Sequence, residues 1–259
     1  MSHLRVDDDG NGVRTLTIDR AEVRNALSLE LRRTLPEALL AADADPAVRV
    51  IVVTGAGGHF CAGADITAMD RDWTESDALE YMRSMGQPTF RTLRGLRTPT
   101  IARVEGVAVG AGMFLALACD IVVAADDARF IASHLNLALP PDWGGIWLVP
   151  RLVGLARAKA VLLTRRPVPA PQAAAWGLIA EAVPAADLDT TVAAYCDALI
   201  SAPPLPLGLA RLALDRSLDT PLDDFLDWEA EAVARCLTTP EHRERVQAFL
   251  SARRSKPSA

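Results

Sequence analysis

Two glycine-containing turns are the part of this sequence best suited to chemistry. The first is His-Phe-Cys-Ala-Gly-Ala-Asp at 59–65, and the second is Gly-Val-Ala-Val-Gly-Ala-Gly at 106–112. Small residues let a backbone approach a ligand closely, and a turn that leads into a helix leaves backbone N–H groups without intrahelical partners. Two such N–H groups directed at one carbonyl oxygen form an oxyanion hole, which stabilises an enolate or a tetrahedral adduct. Taken alone, such turns are also typical of α/β proteins without this site.

The elements around the turns determine whether the turns can meet. Each turn follows a short run rich in β-branched residues, at 49–53 and at 99–104, and such runs predict strands. The second turn opens into an apolar helical run at 113–118. We therefore expect both turns at strand ends, with the second turn at the start of a helix.

Strands and helices alternate along the chain as far as Pro167, after which it becomes mostly helical. Asn11-Gly12 predicts a hairpin that leads into a strand over 13–18. The next helix is expected to bury one stripe, made of Leu31, Leu35, Leu39 and Ala42. Another helix is expected near 78–85, and the polar segment 69–77 before it is either a mobile lid or an ordinary solvated helix entry. This alternation predicts an α/β fold.

A proline cluster at 203, 204 and 206 marks the best candidate domain boundary. We expect an α/β core at 1–202 and a helical region at 203–259. That region carries amphipathic stripes that a short appendage cannot bury within itself, for example Leu222, Phe225, Leu226, Val246, Phe249 and Leu250.

Composition excludes several classes of protein. The chain has 259 residues, 50% of them hydrophobic, which is enough for a substantial core, and its net charge of −6 argues against nucleic acid as a partner. The four cysteines are widely separated and the histidines are not clustered, which argues against structural zinc and against a disulfide framework. The first ten residues lack an apolar core of signal-peptide length and no long apolar run follows, so we expect a soluble cytoplasmic protein without a membrane partner.

Five segments carry a family resemblance by their order and spacing. They are Arg-Asn-Ala-Leu-Ser at 24–28, Phe-Cys-Ala-Gly-Ala-Asp-Ile at 60–66, the turn at 106–112 with Cys-Asp-Ile at 119–121, Pro-Asp-Trp-Gly-Gly through Pro-Arg-Leu-Val-Gly at 141–154, and Ala-Trp-Gly-Leu-Ile at 175–179. Together they resemble the enoyl-CoA hydratase/isomerase family, the crotonase superfamily, over about residues 13–253. The segment 141–151 is most similar to the 1,2-epoxyphenylacetyl-CoA isomerase-like branch.

The resemblance implies an architecture. It is the crotonase (ClpP/crotonase-type) α/β fold of repeated ββα units with a helical C-terminal portion. In the family these last helices cover the active site and join subunits, so the resemblance implies a homotrimer or a dimer of trimers.

The resemblance also implies the ligand and its contacts. The substrate would be an acyl-CoA, with no cofactor or metal beyond the CoA that the substrate carries. The oxyanion donors would be the backbone N–H groups of Ala64 and Ala111. The other implied substrate-binding residues are Asn25, Ala26, Leu27, Ala62, Asp65, Ile66, Gly110, Phe114 and Trp143. Arg24 and the basic residues Arg253, Arg254 and Lys256 are candidates for the CoA phosphates, or else solvated surface charges.

Two glutamates typical of the family's hydratases are missing. The positions that resemble them hold Phe114 and His134. Adding water to an enoyl-CoA in this way needs an acid and a base on either side of one water molecule, and Phe114 can be neither. Ordinary hydration is therefore not expected.

Asp142 resembles the catalytic aspartate of several branches of the family. One carboxylate beside an oxyanion hole can remove a proton from a carbon activated by a thioester and return it elsewhere, which moves a double bond. Its alternative role is to cap the helix that follows. His134 is either its partner, a base itself, or a histidine without a catalytic part.

Other residues near the turns have simpler interpretations. We expect His59 to be a solvent-side loop residue, Cys61 to serve packing, and Asp65 to fix the turn by hydrogen bonds. Three functions stay open: an acyl-CoA isomerase that uses Asp142, a hydratase, hydrolase or lyase that uses water with Asp142 and His134, and a binding protein without catalysis.

Overall fold

The chain begins with the hairpin that Asn11-Gly12 predicts. In the computed structural model, strand β1 (Leu4–Asp8) pairs antiparallel with strand β2 (Val13–Ile18). The Asp9 carboxylate accepts hydrogen bonds from the backbone N–H groups of Asn11 at 2.7 Å and Val13 at 3.0 Å. A short carboxylate that binds the backbone just ahead of it fixes a turn, and the hairpin prediction is confirmed.

Residues 3–254 are described by the structure, and their strands form two sheets. The strands after the hairpin are β3 (Val50–Gly55), β4 (Thr100–Val104), β5 (Val107–Val109), β6 (Ile121–Ala125), β7 (Arg129–Ile131), β8 (Val168–Pro169) and β9 (Glu181–Val183). The larger sheet has the order β1-β2-β3-β4-β6-β9 and is parallel except for the first pair. The smaller sheet has the order β5-β7-β8, parallel and then antiparallel.

The core lies along the central strands of the larger sheet. Every residue of β3 is buried, as expected for a parallel strand that is covered on both faces. The strand predicted at 49–53 is confirmed and continues to Gly55. The first turn follows β3. The second turn follows β4 and contains β5. Because β3 and β4 are neighbouring parallel strands, the two turns lie in the same region.

Seven α-helices belong to the described part of the first compact unit, which ends at Ile200. They are α1 (Leu29–Ala44), α2 (Glu75–Tyr81), α3 (Pro88–Gly95), α4 (Ala111–Ala118), α5 (Gly145–Thr164), α6 (Ala170–Trp176) and α7 (Leu188–Ser201), whose last residue passes the boundary. Short 3₁₀ turns lie at Ala21–Val23, Ile66–Met69, His134–Leu137 and Ala185–Asp187. Helix α5 is interrupted at Gly154, where φ is 75° and ψ is 161°.

Two helix predictions can be compared with the structure. The stripe predicted for α1 is confirmed, because Leu31, Leu35, Leu39 and Ala42 are all buried. The helix predicted near 78–85 begins earlier, at Glu75, because the Thr74 hydroxyl accepts a hydrogen bond from the Asp77 backbone N–H and caps it. It ends in a π-helical turn, Met82–Gly86, rather than in regular α-helix.

The second compact unit begins at Ser201 and is helical. Its helices are α8 (Pro204–Arg216), α9 (Leu222–Leu237) and α10 (Pro240–Arg254). Residues 255–259, the end of the predicted region 203–259, lie outside the described part. Most residues of the predicted apolar stripes are exposed, Leu222 and Phe249 by 70% and 66%, whereas Phe225 is half-buried. Across residues 3–254 no single helix is both long and apolar enough to cross a membrane, and one sharply bent helix pair meets the length and composition criteria together.

Candidate active site

The two glycine-containing turns lie side by side. The Cys61 N–H donates to the Val107 carbonyl at 3.0 Å, and the Cys61 carbonyl accepts from the Val109 N–H at 2.9 Å. The backbone of the first turn at Cys61 therefore lies beside β5 and forms the hydrogen bonds of a neighbouring strand. A Cβ added to Gly63 would lie 2.7 Å from the Val109 carbonyl oxygen and 3.6 Å from the Ala111 nitrogen, and Gly63 has a φ of 96°. Only glycine fits such a conformation at that distance.

Both predicted oxyanion donors are available to a ligand. Leu27 clamps the residues on either side of Ala64, because it donates to the Gly63 carbonyl at 2.7 Å and accepts from the Asp65 N–H at 3.0 Å. Ala111 is the first residue of α4, where backbone N–H groups have no intrahelical acceptor. Among the described residues, the N–H groups of Ala64 and Ala111 have no acceptor.

Asp142 and His134 form a hydrogen-bonded pair. His134 Nε2 lies 2.8 Å from Asp142 Oδ1, and the two side chains are 9% and 26% exposed. The alternative role of Asp142 as a helix cap is wrong, because Gly144 occupies the N-cap of α5 and no side chain caps it. The other oxygen of Asp142, Oδ2, has no hydrogen-bond partner within residues 3–254. It is therefore the oxygen left to receive a proton.

The proton on His134 can be placed by the same accounting. Its Nδ1 is buried and has no partner among the described residues. A ring with its proton on Nε2 donates to the Asp142 carboxylate and places only a lone pair at the buried Nδ1. His134 therefore orients Asp142 as a proton acceptor.

Neighbouring residues bring this pair to the second turn. A Cβ added to Gly110 would lie 3.8 Å from His134 Nε2, so the pair lies beside the predicted donor at Ala111. Phe114 stacks on His134, with ring centroids 5.2 Å apart and planes 17° apart. A Cβ at Gly145 would collide with the Phe114 ring, which shows that this ring fills the space between α4 and the start of α5.

The backbone after Asp142 is tightly bent. Trp143 has a φ of 48° and Gly144 a φ of 74°. A tryptophan in the left-handed region is uncommon, and such strain is most often found at functional sites. This bend turns the chain into α5 directly after Asp142.

Asp65 fixes the first turn, as the sequence predicts. It accepts hydrogen bonds from the Thr67 N–H at 3.2 Å and the Thr67 hydroxyl at 2.7 Å, and it pairs with Arg20 at 2.9 Å. The Thr67 hydroxyl and the Arg20 guanidinium hold the pKa of Asp65 below its usual value. Asp65 thereby ties the end of the first turn to Arg20 and Thr67.

Comparison with known proteins agrees with this geometry. The enoyl-CoA hydratase/isomerase family model matches residues 8–257. The chain belongs to this family. It is 37% identical over 244 residues to 1,2-epoxyphenylacetyl-CoA isomerase from Escherichia coli strain K12, covering 93% of each chain, and 33% identical over 241 residues to crotonyl-CoA hydratase from Syntrophomonas wolfei, covering 93% of this chain and 92% of that one. The crystal structure of an enoyl-CoA hydratase from Mycobacterium smegmatis superposes with a TM-score of 0.92 at 30% identity, covering 97% of each chain. The predicted crotonase fold is confirmed.

The residues that the family resemblance implies for CoA binding differ from one another in how far they are buried. Asn25 is buried, and its amide is used within the protein: it accepts from the Arg20 N–H at 2.9 Å and donates to the carbonyls of Ala56 and His59 at 2.7 Å each. Leu27 is also buried. The side chains of Asn25 and Leu27 support the first turn from the protein interior. Ala26, Ala62 and Ile66 are partly or fully exposed and remain predicted contacts.

The basic residues are less informative. Arg24 is exposed. Arg253 is exposed in the second unit. Lys256 and the side chain of Arg254 lie outside the described residues, so their predicted part in binding phosphate stays a prediction.

Two residues beside the turn are packed into the protein. His59 is half-buried rather than on the solvent side, because its ring packs against Gly106, where a Cβ would collide with it. Cys61 is fully buried, and burial raises the pKa of its thiol to about 12. A neutral thiol is not a nucleophile, which agrees with the packing role expected for Cys61.

An apolar cleft of about 560 Å³ is lined by residues that follow the first turn in the chain and by two residues that precede Asp142. It is lined by Ile66, Met69, Asp70, Trp73, Ala78, Tyr81, Met82, Leu137 and Leu139. Phe114 and Trp143, predicted to contact the acyl group, do not line it and are 0% and 5% exposed. The sequence analysis did not select Trp73 or Tyr81, although an aromatic residue within the polar segment 69–77 and another after it were an available signal.

Proposed function

We propose that this protein isomerises an enoyl-CoA, or a related strained acyl-CoA, by moving a proton with Asp142. The proposal rests above all on the His134–Asp142 pair at 2.8 Å, which lies beside the turn that carries the Ala111 N–H. The thioester carbonyl would lie between the N–H groups of Ala64 and Ala111. Family membership supports acyl-CoA as the substrate class.

Each residue has a defined part in this reaction. The Asp142 carboxylate removes a proton from a carbon activated by the thioester, through its unpaired Oδ2. The negative charge then moves to the thioester oxygen, where two backbone N–H groups stabilise the enolate. Asp142 returns the proton to a different carbon, and the double bond has moved. The chemistry uses only groups of the chain and the CoA thioester.

Phe114 supports isomerisation over hydration. Its ring is fully buried and stacked on His134, so it provides no hydrogen bond to a water molecule. Hydration needs an acid and a base around one water, whereas isomerisation needs one group that takes a proton from one carbon and gives a proton to another. The relatives include both an isomerase and hydratases, so the reaction must be measured.

A second candidate is a hydrolase or lyase reaction that uses water. The observation in its favour is the pair itself, because a carboxylate oriented by a histidine can also activate a water molecule. Asp142 is 26% exposed, which leaves it accessible to water. A binding protein without catalysis is the third possibility.

One experiment separates these functions. The protein is incubated with a set of enoyl-CoA thioesters in heavy water, and the products are followed by NMR and mass spectrometry. Isomerisation moves the double bond with exchange of hydrogen for deuterium and no net addition of water. A hydratase yields a hydroxyacyl-CoA, a hydrolase or lyase yields a shorter acyl-CoA or free CoA, and a binding protein leaves every thioester unchanged. Either of the last two results, or efficient hydration of crotonyl-CoA, refutes the proposed isomerase.

We also propose that the chain forms a homotrimer or a dimer of trimers. The support is the set of exposed apolar side chains on α9 and α10, including Leu222, Val233 and Phe249. Apolar patches of this kind are typical of interaction surfaces. Sedimentation equilibrium at micromolar concentration should give three or six times the mass of the chain, and a stable monomer would contradict the proposal.

A further inference from the structure

Arg32 is a buried cation for which the proposed reaction has no use. It lies on α1 and is only 2% exposed. Its Nε donates to the Leu27 carbonyl at 3.3 Å and its Nη1 donates to the Tyr81 hydroxyl at 2.6 Å. Its Nη2 is buried without a partner among the described residues. A buried arginine is normally paired with a carboxylate, and an orphaned donor needs an explanation.

No negative charge in the described part of the chain neutralises Arg32. It forms no ion pair within residues 3–254, and the nearby Cys61 thiol stays neutral because burial raises its pKa to about 12. The guanidinium is instead surrounded by dipoles and by the Tyr81 ring, whose centroid lies 5.5 Å from it. Tyr81 is therefore the side chain that both accepts a hydrogen bond from Arg32 and places a ring beside its guanidinium.

Tyr81 connects this charge to the apolar cleft. It is half-buried and lines the cleft beside Trp73, with the two rings 5.0 Å apart. Because its hydroxyl oxygen accepts from Arg32, the hydroxyl proton is free to donate, and within the described residues it has no acceptor. A hydroxyl that accepts from a cation is a stronger donor, since hydrogen bonds in a chain polarise one another.

We propose that Tyr81, backed by Arg32, forms a polar end of the acyl cleft that selects acyl-CoA substrates with a neutral oxygen, keto or hydroxyl, on the acyl chain. The proposal rests on the acyl-CoA function above and adds the class of acyl group. Tyr81 would donate to the substrate oxygen, and Arg32 is a positioning residue that acts through Tyr81. A carboxylate is disfavoured because Asp70 lines the same cleft and repels an anion.

The test measures binding, so that it does not depend on which reaction the protein catalyses. Saturated hexanoyl-CoA is compared by calorimetry with analogues that carry a keto group at successive positions beyond the β carbon. A site with a buried donor discriminates against a ligand that leaves it unpaired, and we expect at least one keto analogue to bind about tenfold or more tightly than hexanoyl-CoA. Equal affinities for the whole series would overturn the proposal while leaving the isomerase proposal standing.

Two tyrosine variants provide the matched comparison. Tyr81→Phe should abolish the preference for the keto analogue, because it removes the hydroxyl that donates to the keto oxygen. Tyr195→Phe is the control, since Tyr195 lies on α7, contacts Glu181 at 3.2 Å and does not line the cleft. It should keep the full preference. Retention of the preference in Tyr81→Phe would overturn the proposal.

Arg32 is tested through coupling. Arg32→Met keeps much of the side-chain volume, removes the charge and should lower the keto preference as Tyr81→Phe does, with no further loss in the double variant. A purely structural role would lower the affinity of both ligands equally and add to the effect of Tyr81→Phe, which would overturn the assignment. An analogue ending in a carboxylate that binds more tightly than every keto analogue would refute the choice of a neutral oxygen.

Discussion

Asp142→Asn is the sharpest test of the proposed reaction. The amide has the size of the carboxylate, and its Oδ1 can still accept the His134 Nε2 proton across the 2.8 Å contact. The geometry of the site is therefore kept, while the base is lost. General acid–base catalysis contributes about 10²–10⁴-fold to a rate. Each factor of ten is about 1.4 kcal/mol, so the barrier should rise by about 3–5 kcal/mol.

The effect on folding should be much smaller. Asp142 is 26% exposed, and the hydrogen bond from His134 weakens from one that involves a charge to a neutral one. That difference is about 1 kcal/mol. Substrate affinity should be unchanged, because the two proposed oxyanion donors are backbone groups. The variant should therefore lose turnover with little change in Tm or acyl-CoA affinity.

The assay follows deuterium incorporation and double-bond migration in heavy water, with thermal unfolding and acyl-CoA binding measured on the same preparations. His134→Gln is the companion variant, because it removes the hydrogen-bonded ring and leaves the carboxylate. His134→Gln should lower the isomerisation rate less than Asp142→Asn does. Full isomerase activity in Asp142→Asn together with its loss in His134→Gln would show that the roles are reversed. Efficient hydration of crotonyl-CoA by the parent and both variants would refute the reasoning from the missing glutamates.

Three further changes test the surroundings of the site. Gly63→Ala should lower kcat more than it raises KM, because the added Cβ would lie 2.7 Å from the Val109 carbonyl oxygen and would displace the neighbouring Ala64 donor; unchanged steady-state kinetics would contradict this. Asp65→Asn should lower Tm at neutral pH, and the difference from the parent should shrink as pH falls below about 4. The reason is that the lowered pKa of Asp65 adds stability only above its unfolded value, so a constant difference between pH 7 and pH 3 would exclude the effect. Cys61 should resist iodoacetamide at pH 8, while the partly exposed Cys236 reacts. Mass spectrometry of labelled peptides measures the extent of labelling at each cysteine. Equal labelling of the two cysteines in the native state would refute the burial of Cys61.

Local signals were enough to predict the strands and the turns. The hairpin at Asn11-Gly12 and the buried strand β3 depend on neighbouring residues, and their patterns in the sequence are plain. The meeting of the two turns also followed, because both leave parallel strands of one sheet. The alternative that Asp142 caps the helix was wrong because the left-handed Trp143 and Gly144 place the N-cap two residues beyond it, at Gly144, and residue types alone do not show that bend.

The sequence did not predict the apolar cleft that Trp73 and Tyr81 line, for a different reason. Position 32 carries a charge, so the predicted stripe of α1 omitted it, yet the buried face of the helix also includes Arg32 and Pro36. Likewise Trp73 and Tyr81 lie in and after a polar segment that indicated solvent. The burial of Arg32 and the positions of Trp73 and Tyr81 depend on contacts between distant segments. One example is the hydrogen bond from Arg32 to Tyr81, 49 positions apart. No pattern within one element contains that information.

The two departures from the hydratase pattern are physically connected. By resemblance, Phe114 and His134 occupy the positions of the two hydratase glutamates, and the Phe114 ring stacks on the His134 ring. A glutamate at 114 in this protein would be buried against that ring and against Gly145, close to the Asp142 carboxylate that His134 orients. Burying a second unpaired carboxylate there carries a large desolvation cost. The stacked ring and the hydrogen-bonded pair therefore form one unit, in which the apolar Phe114 leaves a single carboxylate for the proposed proton transfer.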